Sequence, residues 1–297
     1  MVAAACFLTA GPALAAGEQP RAWVSGLGAD AATCGAITAP CRTLQYSHDN
    51  IVAPGGSIYV KDPANFGQIV IRQAISIIND GSGTATILAT VGTAVDIQAG
   101  PNDSVLLKGM TLDGAGTGSF GVNMSSGGNL VIEDCTIQSF VTGGVYILPL
   151  SGSKPTFLID RSRVIENYRG DGVEILPPGA AIGQIRATIF ANNSVGVYVE
   201  AGRVLIEDSV IEGLSFNYSY GLISTAFATE VVARRTHFNG LGAGAWATGG
   251  ATIALSNTVF TNNLVDLATL QSASGLYSYG DNAYATASGP ITQVMKQ

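Results

Sequence analysis

The sequence predicts an all-β solenoid of stacked parallel strands, and three observations carry that expectation: a repeated local design, strand alternation within each repeat, and a glycine before the second strand. Seven times between Met110 and Leu267 a short apolar strand is followed by a polar bend and a second alternating apolar strand. Aligned on the hydrophobic residue of the first strand, the units read Leu112, Ile137, Val164, Ile189, Ile211, Phe238 and Val259, spaced 25, 27, 25, 22, 27 and 21 residues apart. A second register reads Val122-Met124, Val145-Ile147, Val173-Ile175, Val197-Val199, Leu222-Ser224, Ala245-Ala247 and Val265-Leu267, with glycine immediately before the first six. Periods of roughly 20 to 30 residues signal a solenoid, in which each unit buries its apolar face only by stacking on its neighbours. The alternation has the period of strands, not helices.

Composition agrees. The chain has 297 residues, of which 47% are hydrophobic and 12% charged, and 38 glycines supply its corners. One elongated domain accounts for this, built of closely stacked Val, Ile, Ala, Ser and Thr strands. The formal net charge of -7 and the lack of a basic cluster exclude a surface that neutralises a phosphate backbone, so nucleic acid is not an expected partner.

Residues 1–16 are apolar and end in Ala13-Leu14-Ala15, a small-x-small pattern that a signal peptidase accepts, although no Lys or Arg precedes Arg21. The expectation is a cleaved leader and an exported product, periplasmic or extracellular. No other apolar run reaches the roughly 20 residues that a membrane span needs. Cys34 and Cys41 bracket a short loop, and in an oxidising compartment their simplest reading is a disulfide. A zinc site is the weaker reading, because no second Cys or His pair has ligand spacing. Cys135 lies two residues before Ile137, where other units carry Met110, Ser162, Ala187, Ser209, Thr236 and Asn257; this favours a buried structural thiol over a nucleophile.

From Thr43 to Val52 the pattern suits a short amphipathic helix, stopped by Pro54-Gly55-Gly56, that plugs the first coil. A solenoid needs such a plug to cover apolar core and unpaired strand edges. Leu276 to Asn282 is expected to close the last coil. The organisation is therefore a leader (1–16), a disulfide loop with capping helix (17–56), the solenoid (57–275) and a C-terminal cap and tail (276–297).

Vertical neighbours are spaced by about 4.8 Å in such a stack, which tests each charge. Three residues before the anchors stand Gly109, Asp134, Arg161, Arg186, Asp208, Arg235 and Ser256, so Asp134 should face Arg161 and Asp208 should lie between Arg186 and Arg235. One position earlier, Lys108 falls beside Glu133 and Glu207 beside Arg234. These are expected structural ladders. Asn167, Asn192 and Asn262, three residues after their anchors, suit left-handed bends and amide stacking.

Arg21–Asp30, Ala39–Gln45, Gly55–Val60, Ser76–Gly81 and Ser278–Asn282 resemble the opening and closing motifs of exported bacterial right-handed parallel β-helix repeat proteins, a branch of the pectate-lyase-like superfamily. The resemblance covers nearly the whole mature chain. It implies three parallel sheets wound right-handed around a narrow core, the handedness also following from the bias of parallel crossovers; with the helix read above, the expected fold is a single-stranded right-handed parallel β-helix with a short N-terminal capping helix. It delivers no catalytic motif: where pectate lyases are expected to carry a calcium-binding carboxylate cluster and an arginine base, the candidate acids here mostly alternate with arginines, and neither the Asp-Asp pair expected of polygalacturonases nor the Asp-Pro-His-Glu motif of alginate epimerases occurs. Fold similarity of this kind leaves function open.

One outward row does suggest chemistry. Between the inward residues of the second strands stand Asn123, Tyr146, Glu174, Tyr198, Ile223, Trp246 and Asp266, where aromatic faces alternate with acceptors. Such a stripe suits a sugar chain, because rings cover pyranose faces while carboxylates and amides accept from hydroxyls; the competing reading is that large side chains merely shield strand hydrogen bonds. Asn123, Tyr146, Glu174, Tyr198 and Trp246 are the candidate ligand-binding residues. Glu174 and Glu200, on adjacent coils two residues out of step and roughly 8 Å apart by strand geometry, are the candidate catalytic acids. Asp171 and Glu166 extend the acidic patch, with Arg163, Arg169 and Arg203 expected nearby. His48 and His237 lack metal-ligand spacing, and no phosphate loop, dinucleotide fingerprint or nucleophile elbow occurs, so neither metal nor cofactor is expected. The reading is an exported polysaccharide-binding protein; its alternatives are a polysaccharide lyase or glycoside hydrolase, and a structural or adhesive surface protein. Oligomeric state has no signature in the sequence.

Overall fold

The computed structural model describes residues 17–213, 219–270 and 274–294; the expected leader, with Cys6, lies outside them. Among the described residues the strands form three sheets of twelve, ten and nine members, and every pairing between named strands is parallel. One coil shows how the chain does this. Ser104–Lys108 joins the twelve-stranded sheet, Met110–Asp113 the nine-stranded and Phe120–Ser126 the ten-stranded, before Asn129–Glu133 returns beside Ser104–Lys108. Inward residues of that coil, Val105, Leu107, Leu112, Val122 and Met124, are essentially inaccessible to solvent. Strand period puts alternate side chains inside, and vertical repetition puts aliphatic on aliphatic.

The N-terminal end is closed as expected, by one helix, α1 (Leu44–Asn50). Thr43 caps it, its hydroxyl oxygen accepting from the Tyr46 N–H at 3.2 Å while the hydroxyl donates to Asp30 at 2.8 Å. Leu44 is fully buried on the core. The helix also replaces a missing strand: the Gln45 amide accepts from the Val70 N–H (2.7 Å) and donates to its carbonyl (3.2 Å), so the edge of the ten-stranded sheet is not left open. His48 belongs to the same plug, its Nε2 accepting from the Arg72 N–H at 3.2 Å. Gln19–Val24 adds the outermost strand of the twelve-stranded sheet, and the loop behind it is joined by the Cys34–Cys41 disulfide, Cα atoms 4.9 Å apart. At the other end Asn282 accepts from the Thr258 N–H (2.8 Å) and donates to the Leu255 carbonyl (2.9 Å), doing with a side chain what a further coil would do with backbone.

The stacking corrects two of the seven anchors by one residue. Val164 pairs with Phe190 rather than Ile189, and Phe238 with Phe260 rather than Val259. At both places two large apolar residues are adjacent, so alternation alone does not choose between them. Steric fit does. Phe190 is fully buried, and the Phe238 and Phe260 rings stack 4.8 Å apart within 5° of parallel, whereas Val259 is 42% exposed. The glycine column shows the same register: a Cβ on Gly144 would lie 2.5 Å from Val164, on Gly172 2.8 Å from Phe190, on Gly221 2.5 Å from Phe238 and on Gly244 2.5 Å from Phe260. Each glycine is there because the anchor side chain of the following coil fills its Cβ space.

The shift rewrites the charge and amide columns. Residues three before the corrected anchors, Gly109, Asp134, Arg161, Ala187, Asp208, Arg235 and Asn257, all have positive φ, between 46° and 68°. Asp134–Arg161 (2.9 Å), Asp208–Arg235 (2.6 Å), Lys108–Glu133 (3.8 Å) and Glu207–Arg234 (3.9 Å) pair as expected. Arg186 does not flank Asp208; it sits one column over and holds Asp160 at 2.7 Å. The column of Cys135 becomes Met110, Cys135, Ser162, Thr188, Ser209, Thr236 and Thr258. Ser162, Thr188, Ser209, Thr236 and Thr258 each donate to the carbonyl two residues back, and the Cys135 thiol reaches the equivalent Glu133 carbonyl at 3.3 Å. Burial pushes that thiol up to about 12, so it stands in for a hydroxyl and is inert as a nucleophile.

Candidate functional site

The ten-stranded sheet carries the outward stripe. Its ladders align Asp96, Asn123, Tyr146, Glu174, Tyr198, Ile223 and Trp246 in one row. Asp266 is not in it: Trp246 pairs with Ala268. Asp266 occupies the glycine column instead, is buried, and accepts from the Ala285 and Thr286 N–H groups at 2.7 and 3.0 Å and from Asn263 at 3.0 Å. At this terminal coil a carboxylate is accommodated there and fastens the tail. Asn123 is also partly committed, donating to Asp96 at 2.8 Å.

A second outward row, not foreseen from the sequence, runs beside the first through Phe120, Gly143, Asp171, Val195, Tyr220 and Ala243. Its signal was present: these residues immediately precede the column glycines, so Phe120-Gly121, Asp171-Gly172 and Tyr220-Gly221 mark it. The two rows meet as aromatic pairs. Phe120 and Tyr146 have ring centroids 4.7 Å apart, and Tyr220 and Trp246 5.3 Å apart. Between these pairs lie Asp171, Glu174, Tyr198 and Glu200. Glu174 pairs directly with Tyr198, and Glu200 follows that strand, its N–H bonded to the Ile175 carbonyl at 2.8 Å. From Phe120 to Trp246 the face rises through five strand spacings, roughly 24 Å. Beyond Tyr220 and Trp246 the same rows carry Ala243 and Ala268, and the step from large to small opens a cleft of about 270 Å³. At the opposite end Gln45, Gln68, Val70, Thr93 and Asp96 line a hollow of about 420 Å³.

The carboxylates perturb one another. Burial, then the neighbouring Glu174, pushes Asp171 up to about 7, against a hydrogen bond from the Val195 N–H. Glu174 is raised by burial and then by Glu200, and burial followed by both glutamates raises the Tyr146 phenol. The arginines expected to neutralise this patch mostly belong elsewhere: Arg203 pairs with Glu230 at 3.3 Å on the twelve-stranded sheet, and Arg163 lies on the nine-stranded sheet. Arg169, with Glu166 and Tyr168, lines a separate cleft at the preceding bend. His237 is on the nine-stranded sheet, bonded to Thr261 at 2.7 Å. Among the described residues no group of three His, Cys, Asp or Glu could hold a metal ion, and no helix is long and apolar enough to cross a membrane.

Residues 120–289 match the family described as the right handed beta helix region. The chain belongs to the right-handed β-helix family. Its coils wind accordingly, and the β-helix superposes on two solved polysaccharide lyases. One is an alginate lyase from Paenibacillus sp. str. FPU-7, with a TM-score of 0.61 at 14% identity over 82% of this chain and 92% of that one. The other is pectate lyase Pel9A, also with a TM-score of 0.61, at 13% identity over 92% of this chain and 78% of that one. No curated protein matches the chain in sequence. At such identities the likeness concerns the β-helix itself and leaves the chemistry of its outer face to be argued from its own residues.

Proposed function

We propose that this is an exported β-helix that binds extracellular or envelope polysaccharide along the outer face of its ten-stranded sheet. The observation that carries the reading is the pair of aromatic contacts, Phe120–Tyr146 and Tyr220–Trp246, flanking a polar middle of Asp171, Glu174, Tyr198 and Glu200. Rings at both ends offer flat apolar surface to sugar faces, and the middle offers acceptors to hydroxyls. Export is supported by the Cys34–Cys41 disulfide, a bond that persists in oxidising compartments. Replacing Tyr146, Tyr198 and Trp246 together by alanine tests the reading: binding to a glycan array should fall while the far-ultraviolet dichroism stays that of a β-protein, and unchanged binding rejects the face.

One observation favours a second reading, a polysaccharide lyase or glycoside hydrolase working through Glu174 and Glu200. Burial and repulsion hold Asp171 and Glu174 protonated to higher pH than ordinary carboxylates, the state a general acid requires. Incubation with uronate and neutral glycans, followed by absorbance of unsaturated ends and by reducing-end assay, separates the readings. Inactivity with and without calcium leaves binding. A protein that neither binds nor cleaves any glycan would instead be a structural or adhesive surface element.

A further inference from the structure

Two groups of acids in this β-helix differ in their surroundings. On the twelve-stranded sheet and its bend Glu133, Asp134, Asp160, Glu207, Asp208 and Glu230 each have an arginine partner. The ten-stranded sheet has none to give: no Lys or Arg occurs in any of its strands. Among the described residues no Lys or Arg is ion-paired with Asp171, Glu174 or Glu200, which share two adjacent coils among aromatic rings that themselves attract cations through their faces. A charged face that the protein leaves uncompensated is complementary to a ligand of opposite sign.

Resting on the reading of this face as a glycan site, we infer that it selects a polysaccharide bearing free amino groups, of polyglucosamine type, over neutral glycans and polyuronates. Ring faces of the sugars lie on Tyr146, Tyr198 and the Tyr220–Trp246 pair, and their ammonium groups approach Glu174 and Glu200. A polyuronate would bring its own carboxylates against the same two acids, so the chemistry of this face opposes the substrates named for the two structural neighbours.

The test compares a short glucosamine oligomer, its fully N-acetylated counterpart of the same length, and an oligogalacturonate, by calorimetry with the whole mature chain at mildly acidic pH. The two glucosamine oligomers share a backbone and differ in the charge carried by the amine. Expected is an affinity for the free amine at least about tenfold above the acetylated oligomer, the effect of one well-placed charge pair, with the oligogalacturonate weakest. The advantage should shrink with added salt and disappear in the Glu174→Gln/Glu200→Gln double variant, whose dichroism reports that it is folded. Equal or tighter binding of the acetylated oligomer or of the oligogalacturonate overturns the inference and leaves the glycan site standing. Failure of all three, together with no binding on a wider glycan array, overturns both.

Discussion

The side-chain amide of Asn167 donates to that of Asn193 across 2.9 Å, and Asn193 in turn donates to the Val164 carbonyl at 2.8 Å. Both are buried, and Asn167 passes the chain on by accepting from the Phe140 N–H. Asn192, the residue that a period read from Ile189 puts in this column, sits at the bend with φ of 60°.

The two neighbours should therefore respond oppositely to substitution. Asn193→Ala leaves a buried carbonyl and a buried amide without partners and is expected to cost about 2 kcal/mol. Asn192→Gly keeps a left-handed bend that glycine adopts freely, and its expected cost is near zero. Urea denaturation of the two variants measures the difference, and equal losses would contradict the register.

How far such details are legible follows from what sets them. The solenoid, its plug and the Asp134–Arg161 and Glu207–Arg234 neighbours are local or periodic, so a period and an alternation suffice to find them. The column identities of Ile189 against Phe190 and Val259 against Phe260 are not periodic: coil length varies, and the choice is made by which side chain fits the space left by Gly172 or Gly244. Asp266 was misplaced for the same reason, since only the tail that folds back onto it explains a carboxylate in a glycine column. Phe120 and Tyr220 escape a period-two reading because it yields one outward row per strand, whereas the long strands of the ten-stranded sheet present two, and the second row is also where Asp171 belongs.

Gly143 and Gly144 are adjacent, and their surroundings differ sharply. An added Cβ at Gly144 would lie 2.5 Å from Val164 Cγ1 and 2.7 Å from the Gly172 carbonyl oxygen, while at Gly143 the nearest atom is 3.3 Å away. Gly144→Ala must push a core side chain and a neighbouring strand, and is expected to cost about 2 kcal/mol or more. Gly143→Ala is expected to stay within about 0.5 kcal/mol. Thermal unfolding of both variants tests whether the glycine column is a steric requirement or merely a compositional habit.

Asp160 is buried, and Arg161 and Arg186 both bond its carboxylate. The Arg186 hydrogen bond is the largest influence holding its pKa below the usual carboxylate range. A depressed native pKa contributes stability above the unfolded value, and that contribution is lost as pH falls through the native one. Asp160→Asn should thus destabilise the fold at neutral pH, by about 1 to 3 kcal/mol, and by progressively less under acid. Asp208→Asn, which breaks an exposed pair with Arg235, should be far milder, since solvent screens that pair. Denaturation midpoints at neutral and acid pH decide the ordering.

Asp171 should show the opposite pH dependence. Its native value of about 7 lies above that of an unfolded aspartate, near 3.9, so between those values the folded chain holds the proton more tightly than the unfolded one. Stability from this group is complete below about pH 4 and declines as pH rises through about 7. Asp171→Asn removes the titrating group while keeping its shape. The variant should gain on the wild type as pH rises from about 4 to 8, by roughly 1 to 2 kcal/mol after solvent screening, and the gain should level off above that range. Because Glu174 is the charged neighbour that raises Asp171, Glu174→Gln should move the same transition to lower pH. Unfolding free energies across the range test both claims. A wild type and Asp171→Asn that stay parallel would mean that this carboxyl ionises normally, which would remove the support that its retained proton gives to acid catalysis on this face.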